Sequence, residues 1–130
     1  MIVLDASVVV ELLTNGELAG SLRRDLALRN ESFIVPHLLD VEVVSALRNL
    51  AAGGRLDSHR AAEYLRGLAL LPAERYAHSP LLERMWELRH NFTAYDAAYI
   101  ALAEATNATL YTTDAKLQRG HRARVVVAGN

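Results

Sequence analysis

Between Thr93 and Asp114 the chain reads TAYDAAYIALAEATNATLYTTD, and no other stretch constrains the fold as much. Ala97, Ile100, Ala101 and Ala105, with Leu102 beside them, recur at helical spacing, which predicts a well-buried helix over Ala94 to Thr106, ended by Asn107. Ala108 to Thr113 is short, apolar and β-branched, the pattern of a buried strand. A helix that runs straight into a buried strand is half of a βαβ unit. It puts Asp96 in the first turn of the helix and Asp114 just past the carboxyl end of the strand, the edge at which sites collect in open α/β sheets.

The same alternation runs through the rest of the chain. Ile2 to Leu4 reads as a strand, followed by Asp5 and a helix from about Ser7 to Thr14, which Asn15-Gly16 stops. Glu17 to Leu28 is an amphipathic helix with Leu18, Leu22 and Leu26 inward, and Phe33 to Val35 a second strand. Pro36 has no N–H to continue a ladder, so Leu38 to Ala52 becomes a long helix closed by Gly53-Gly54. Asp57 or Ser58 caps a further helix to about Leu71, Pro72 to His78 is weakly extended, and Pro80 to His90 is a helix with proline in its first turn. Ala115 to Arg119 makes one helical turn and Val125 to Ala128 a last strand. Short strands alternating with helices imply a central parallel sheet covered on both faces, hence a three-layer α/β/α domain.

Residues 1–130, with no repeat or linker among them, fit one domain, and a hydrophobic content of 52% supports a core. Cysteine is absent, which excludes disulfides, thiolate chemistry and cysteine-ligated zinc, and makes the cytoplasm the expected compartment. The apolar start MIVLDASVVVELL contains Asp5 and Glu11 and lacks a basic leader, so neither export nor membrane insertion is expected. A net charge of −1 gives no global attraction for nucleic acid, so any such binding needs a local basic patch.

Asp5, Glu42, Asp96 and Asp114 stand in apolar surroundings that do not ordinarily tolerate acids. Each has a plain structural alternative: Asp5 and Asp114 as caps of the helical turns just after them, and Asp96, three residues after Thr93, as a capping-box acid favoured by the helix dipole. Glu42 is harder to dismiss, because Ser45, Ala46 and Asn49 lie along its own face rather than a solvated charged stripe. Asp40 competes with it, but residues two apart on a helix point roughly 200° away from each other. The Asp40 side is occupied by Val43, Val44 and Leu47, so Glu42 is the choice. Converging carboxylates repel unless a hard cation sits among them, and oxygen-only ligands select Mg²⁺ or Mn²⁺. Such an ion, keeping several waters, suits phosphoryl chemistry because it lowers the pKa of a bound water and offsets charge on the phosphate.

VLDAS after the first strand, VEVVSAL on the helix after the strand-proline step, and TAYDAAYIALAEATNATLYTTDAKL resemble the PIN domain family, more closely the VapC toxins of bacterial VapBC toxin–antitoxin pairs. The resemblance covers essentially the whole chain. It implies a metal-dependent endoribonuclease whose acidic quartet is Asp5, Glu42, Asp96 and Asp114, binding Mg²⁺ or Mn²⁺. It also matches Thr112 and Ser7 to the family's small hydroxyl residues, expected here to hold the carboxylates by hydrogen bonds. A homodimer, and a VapB-type antitoxin laid across the active-site groove, are likewise implied by the resemblance, the antitoxin by nothing in spacing or composition.

The five histidines show no ligand spacing. Arg119, Arg122 and Arg124 follow Asp114 and are candidates to hold RNA phosphates at the same edge, with a solvated loop as the alternative. Leu81, Leu82, Met85 and Trp86 crowd one short helix and suggest core or dimer interface, while Tyr95 is a candidate groove residue. Two rival functions remain at this level. One is a Mg²⁺-binding receiver domain, which wants a second acid beside Asp5 and an acceptor after a middle strand, where the chain has Ala6 and Val35-Pro36-His37. The other is a binding module that kept the fold and lost catalysis.

Overall fold

The computed structural model describes residues 1–129. Five strands, β1 (Ile2–Leu4), β2 (Phe33–Pro36), β3 (Ala73–Tyr76), β4 (Thr109–Thr112) and β5 (Arg124–Val127), form one sheet in the order β3-β2-β1-β4-β5. All four pairings are parallel, with Leu4 opposite Tyr111 and Thr112 opposite Val127. The helices are α1 (Ala6–Thr14), α2 (Ala19–Arg29), α3 (Leu38–Ala52), α4 (Ala61–Ala69), α5 (Leu82–Glu87) and α6 (Ala94–Thr106). Helix α1 packs on α2, α3 and α4, whereas α5 packs on α6, which lies against β1, β2 and β4. The sheet is therefore sandwiched in three layers.

Strand β1 is central and its three residues are wholly buried, each worth about 1.5–3 kcal/mol of burial. The chain runs outward from β1 through β2 to β3, then returns to place β4 on the other side of β1. The switch point thus lies between β1 and β4, and the crevice at their carboxyl ends is where such a sheet leaves room for a site. Helix α6 is buried from Ala97 through Ala103, on every side. Its alanines are the reason it fits: a helix this enclosed has no solvated face, and small side chains let it approach three strands. Asn15, Asn30 and Asn107 end α1, α2 and α6 in the left-handed conformation at φ of 52°, 50° and 53°, which asparagine tolerates better than most residues.

Several boundaries differ from the sequence reading. Helix α2 starts at Ala19 rather than Glu17 because the Glu11 carboxylate accepts the Leu18 N–H at 3.1 Å and holds the preceding turn. Helix α4 begins at Ala61 after a 3₁₀ turn capped by Asp57, and ends at Ala69. Helix α5 stops at Glu87, since Leu88 onward tightens into short turns such as Arg89 N–H to Trp86 C=O. The apolar crowd on α5 divides: Leu81 is buried and Met85 packs on the core, so only Leu82 and Trp86 face outward, the latter under the Arg89 guanidinium at 4.2 Å. No helix among the described residues is long and apolar enough to cross a membrane.

Candidate active site

Asp5 is built into the switch point by both of its neighbours. Its backbone N–H donates to the Tyr111 carbonyl at 2.9 Å, closing the β1–β4 pairing, and its extended conformation makes it the N-cap of α1. Oδ1 accepts the Ala6 N–H at 2.9 Å, and Oδ2 accepts the hydroxyls of Ser7 at 2.8 Å and Thr112 at 2.7 Å. Those hydroxyl oxygens in turn accept backbone N–H groups, Ser7 from Thr113 at 3.1 Å and Thr112 from Asp114 at 3.0 Å. Ser7 and Thr112 thus tie the loop after β4 to the start of α1 through a single carboxylate oxygen. Although these bonds favour the ionised form, Asp5 is only 7% exposed, and burial, with a smaller push from Asp114, raises its pKa.

Asp114 caps the turn after β4, its Oδ1 accepting the Lys116 N–H at 2.9 Å. Asp96 stands in the first turn of α6, where Thr93 Oγ1 accepts its N–H at 3.2 Å. A helix N-terminus should lower the pKa of an acid. Burial and then repulsion from Asp5 and Asp114 win instead, and the pKa of Asp96 is raised despite the Thr93 hydroxyl and Lys116. Glu42, on α3, is raised chiefly by burial, with Asp5 and Asp96 adding to it. Asp40, two residues earlier, turns away into a bidentate pair with Arg75, both contacts 2.8 Å. The four acids Asp5, Glu42, Asp96 and Asp114 therefore share one electrostatic neighbourhood with Asp5 at its centre. Among the described residues no three acidic or histidine side chains are drawn into a ready-made ligating cluster: the quartet is near enough to repel, not preassembled.

Two open grooves flank Glu42. One, of about 430 Å³, is lined by Ser7, Glu11, Asn49, Arg55 and Thr113; the other, of about 470 Å³, by Val41, Ser45, Asn49 and the half-exposed ring of Tyr95. A further groove, of about 530 Å³, lies elsewhere, between α5, α6 and the start of β5. At its centre Glu104 accepts both Arg84 contacts at 2.7 and 3.0 Å and the Arg122 N–H at 2.8 Å.

The arginine cluster corrects the sequence reading. After β4 the chain must recross the sheet to begin another parallel strand, so Arg124 opens β5 at the amino edge, bonded to Asn107 at 2.9 and 3.1 Å. Arg122 pairs there with Glu104 at 3.6 Å, and Arg119 lies on the return path. Arg122 and Arg124 are on the far side from the acids.

Sequence reasoning missed Tyr99. It is wholly buried, and its hydroxyl is the one buried side-chain polar atom among the described residues with no well-formed hydrogen bond. An unsatisfied buried hydroxyl costs about 1–3 kcal/mol. Burial first, then the charge of Glu42, pushes the phenol far up, so it stays protonated. A signal was present: Tyr99 is three residues after Asp96, on the same helical face, and is the bulkiest and most polar residue in an alanine-rich run.

Residues 2–122 match the PIN domain family. Ribonuclease VapC9 of Mycobacterium tuberculosis is 46% identical over 120 residues, covering 90% of this chain and 88% of the relative. Ribonuclease VapC1 of the same species is 41% identical over 116 residues, covering 88% and 86%. Among solved structures, a protein from Pyrobaculum aerophilum superposes with a TM-score of 0.73 at 25% identity, covering 95% of this chain and 81% of that one. Mycobacterium tuberculosis VapC20, described as a sarcin-ricin loop cleaving toxin, gives 0.71 at 18% identity, covering 91% and 93%, which is a likeness of fold. The receiver-domain alternative falls with these matches, and the chain belongs to the PIN domain family, among its VapC ribonucleases.

Proposed function

We propose that this chain is an endoribonuclease, the toxin of a type II toxin–antitoxin pair, hydrolysing RNA phosphodiester bonds with Mg²⁺ or Mn²⁺ held by Asp5, Glu42, Asp96 and Asp114. The observation that supports it best is that Asp5, at the β1–β4 switch point, lies within electrostatic reach of Glu42, Asp96 and Asp114, acids from three other elements, and that burial with like-charge repulsion raises the pKa of Asp5, Glu42 and Asp96. The donor set fits the ion: carboxylate oxygens alone suit a hard divalent cation, which relieves both the burial penalty and the repulsion. When bound, the ion supplies Lewis acidity and offsets charge at the phosphate. The chain's own residues orient and select. Ser7 and Thr112 fix Asp5, Arg55 offers a cation to the RNA backbone beside Glu42, and the grooves on either side of Glu42 give a strand a path across the site. A VapB-type antitoxin as partner, and a homodimer, are supported by family membership. Sedimentation at micromolar concentration tests the homodimer, and a monomer would refute it.

The paired substitutions Glu42→Gln and Asp40→Asn test the assignment. Glu42→Gln is expected to lose RNA cleavage in Mg²⁺. Asp40→Asn should keep it and lose only some of the surface pair with Arg75, about 1 kcal/mol or less. The opposite pattern would place the wrong acid in the site.

Asp96 is tested by the sign of a stability change. As a helix cap alone, Asp96→Asn would destabilise by about 0.3–1 kcal/mol with or without metal. As one of a repelling quartet, the mutant in EDTA should melt at or above wild type, and millimolar Mn²⁺ should raise wild type well beyond the mutant. A mutant that melts lower in EDTA, with no metal-dependent gap, would leave Asp96 a cap.

A further inference from the structure

We infer that the groove between α3 and the start of α6 is a base-binding subsite, in which the ring of Tyr95 stacks an unpaired nucleobase of the RNA beside the acid site. The subsite rests on the nuclease reading, since Glu42 lines it. Tyr95 is the second residue of α6, immediately before Asp96, and its ring is 59% exposed. Trp86, also exposed, is covered by the Arg89 guanidinium at 4.2 Å, whereas among the described residues no ring or cation stacks on Tyr95. Across the groove α3 presents Leu38 and Val41, and further along the face of Glu42 it presents Ser45 and Asn49, both exposed. An aromatic face, an aliphatic flank, and a hydroxyl and an amide that both donate and accept are what a nucleobase needs for stacking and for contacts to its edge. The one charged side chain lining this groove is Glu42, which repels phosphate, while the groove on the other side of Glu42 has the cation Arg55 as well as Glu11. The two grooves thus sort the parts of a nucleotide, the neutral planar base going to Tyr95 and the phosphate to the Arg55 side. Because α6 is buried from Ala97 onward, the ring stands on a fixed element and needs no ordering when RNA arrives. A base paired within a duplex does not reach such a ring, so the subsite takes single strands.

The probe is a short single-stranded RNA of mixed sequence, with a series in which each nucleotide in turn is made abasic. Binding is read by fluorescence anisotropy in EDTA, and cleavage in Mn²⁺. Tyr95→Ala should raise the Kd for the intact strand and lower kcat/KM about 5–100-fold, and should melt with wild type because the ring is exposed. Tyr95→Phe keeps the aromatic face and should stay within about twofold of wild type. Removing the base at one position should cost wild type the same factor and cost Tyr95→Ala nothing more. Wild-type RNA affinity in Tyr95→Ala would overturn the subsite and leave the groove to a protein partner. An equal loss in Tyr95→Phe, or an abasic penalty identical in wild type and Tyr95→Ala at every position, would also overturn it, since the ring would then not be stacking a base. Those results leave the nuclease reading intact if wild type cleaves the intact strand; a wild type that cleaves no strand in Mn²⁺ would end that reading and the subsite with it.

Discussion

Asp5→Asn is expected to reduce Mg²⁺-dependent RNA cleavage by at least about 100-fold while the protein stays folded. Losing an outer partner of a metal ligand typically costs about 10–100-fold, and a carboxylate at the centre of the cluster should cost no less. The fold survives because opposing effects nearly cancel. Asp5 accepts from three donors, the Ala6 N–H and the hydroxyls of Ser7 and Thr112. An amide has only one oxygen, so its NH₂ group must face at least one of those donors and forfeit a bond worth about 1 kcal/mol. Against that loss, the mutant no longer buries a charge beside Asp114. The two proteins also differ in how stability depends on pH. A carboxyl whose native pKa is raised contributes stability at low pH that disappears as pH rises through that native value. In EDTA, wild type should therefore lose stability as pH climbs from the ordinary carboxylate range toward neutrality, and Asp5→Asn should lose less. Cleavage of a fluorescent RNA and urea melts across that range check both points; wild-type turnover in the mutant would remove Asp5 from the site.

The second large effect lies at the opposite edge. Glu104 is 7% exposed at its side chain and binds the Arg84 guanidinium through both oxygens, the Arg122 backbone N–H, and the Arg122 guanidinium at 3.6 Å. One carboxylate thus joins α5, α6 and the segment before β5. Burial pushes its pKa up, but the arginines and the backbone donor outweigh that and hold it down at about 2. Glu104→Ala strands the inward face of Arg84 and the Arg122 N–H, and should destabilise by about 2–4 kcal/mol, less than a fully buried pair because Arg84 keeps some water. The contribution is present above the ordinary carboxylate pKa and vanishes as pH falls through about 2, so the mutant and wild type should converge in strong acid. Urea midpoints at neutral pH decide it, and a difference below about 1 kcal/mol would show that water already screens the pair. Cleavage per folded molecule should be unaffected, because the acid edge is across the sheet.

The sequence displays well whatever depends on spacing within one element. Period and composition expose α6 as a buried helix, the asparagine stops come from backbone sterics, and helical geometry alone separates Glu42 from Asp40. Contacts between distant residues are another matter. That Arg75 takes Asp40, or that Glu104 claims Arg122, depends on which strand lies beside which, and nothing local encodes it. The arginines after Asp114 mislead for this reason: adjacency in sequence suggests adjacency in space, while a parallel strand pair requires the chain to travel the full length of the sheet between them. Tyr99 is hidden differently, since in a helix buried on all sides an aromatic ring passes as packing.

The clasp on Asp5 joins positions 107 residues apart, Asp5 and Thr112 meeting through one 2.7 Å bond. During synthesis the ribosome therefore delivers the pieces of the site at widely separated times. A growing chain that has folded β1 through α5 already displays Asp5 and Glu42, yet has neither Asp96 nor Asp114, and its central strand lacks the neighbour that closes the crevice. Such an intermediate lacks two of the four acids of the proposed centre, whatever its local order. The order of strands along the chain therefore brings the four acids within reach of one another only once β4 and the turn after it have emerged.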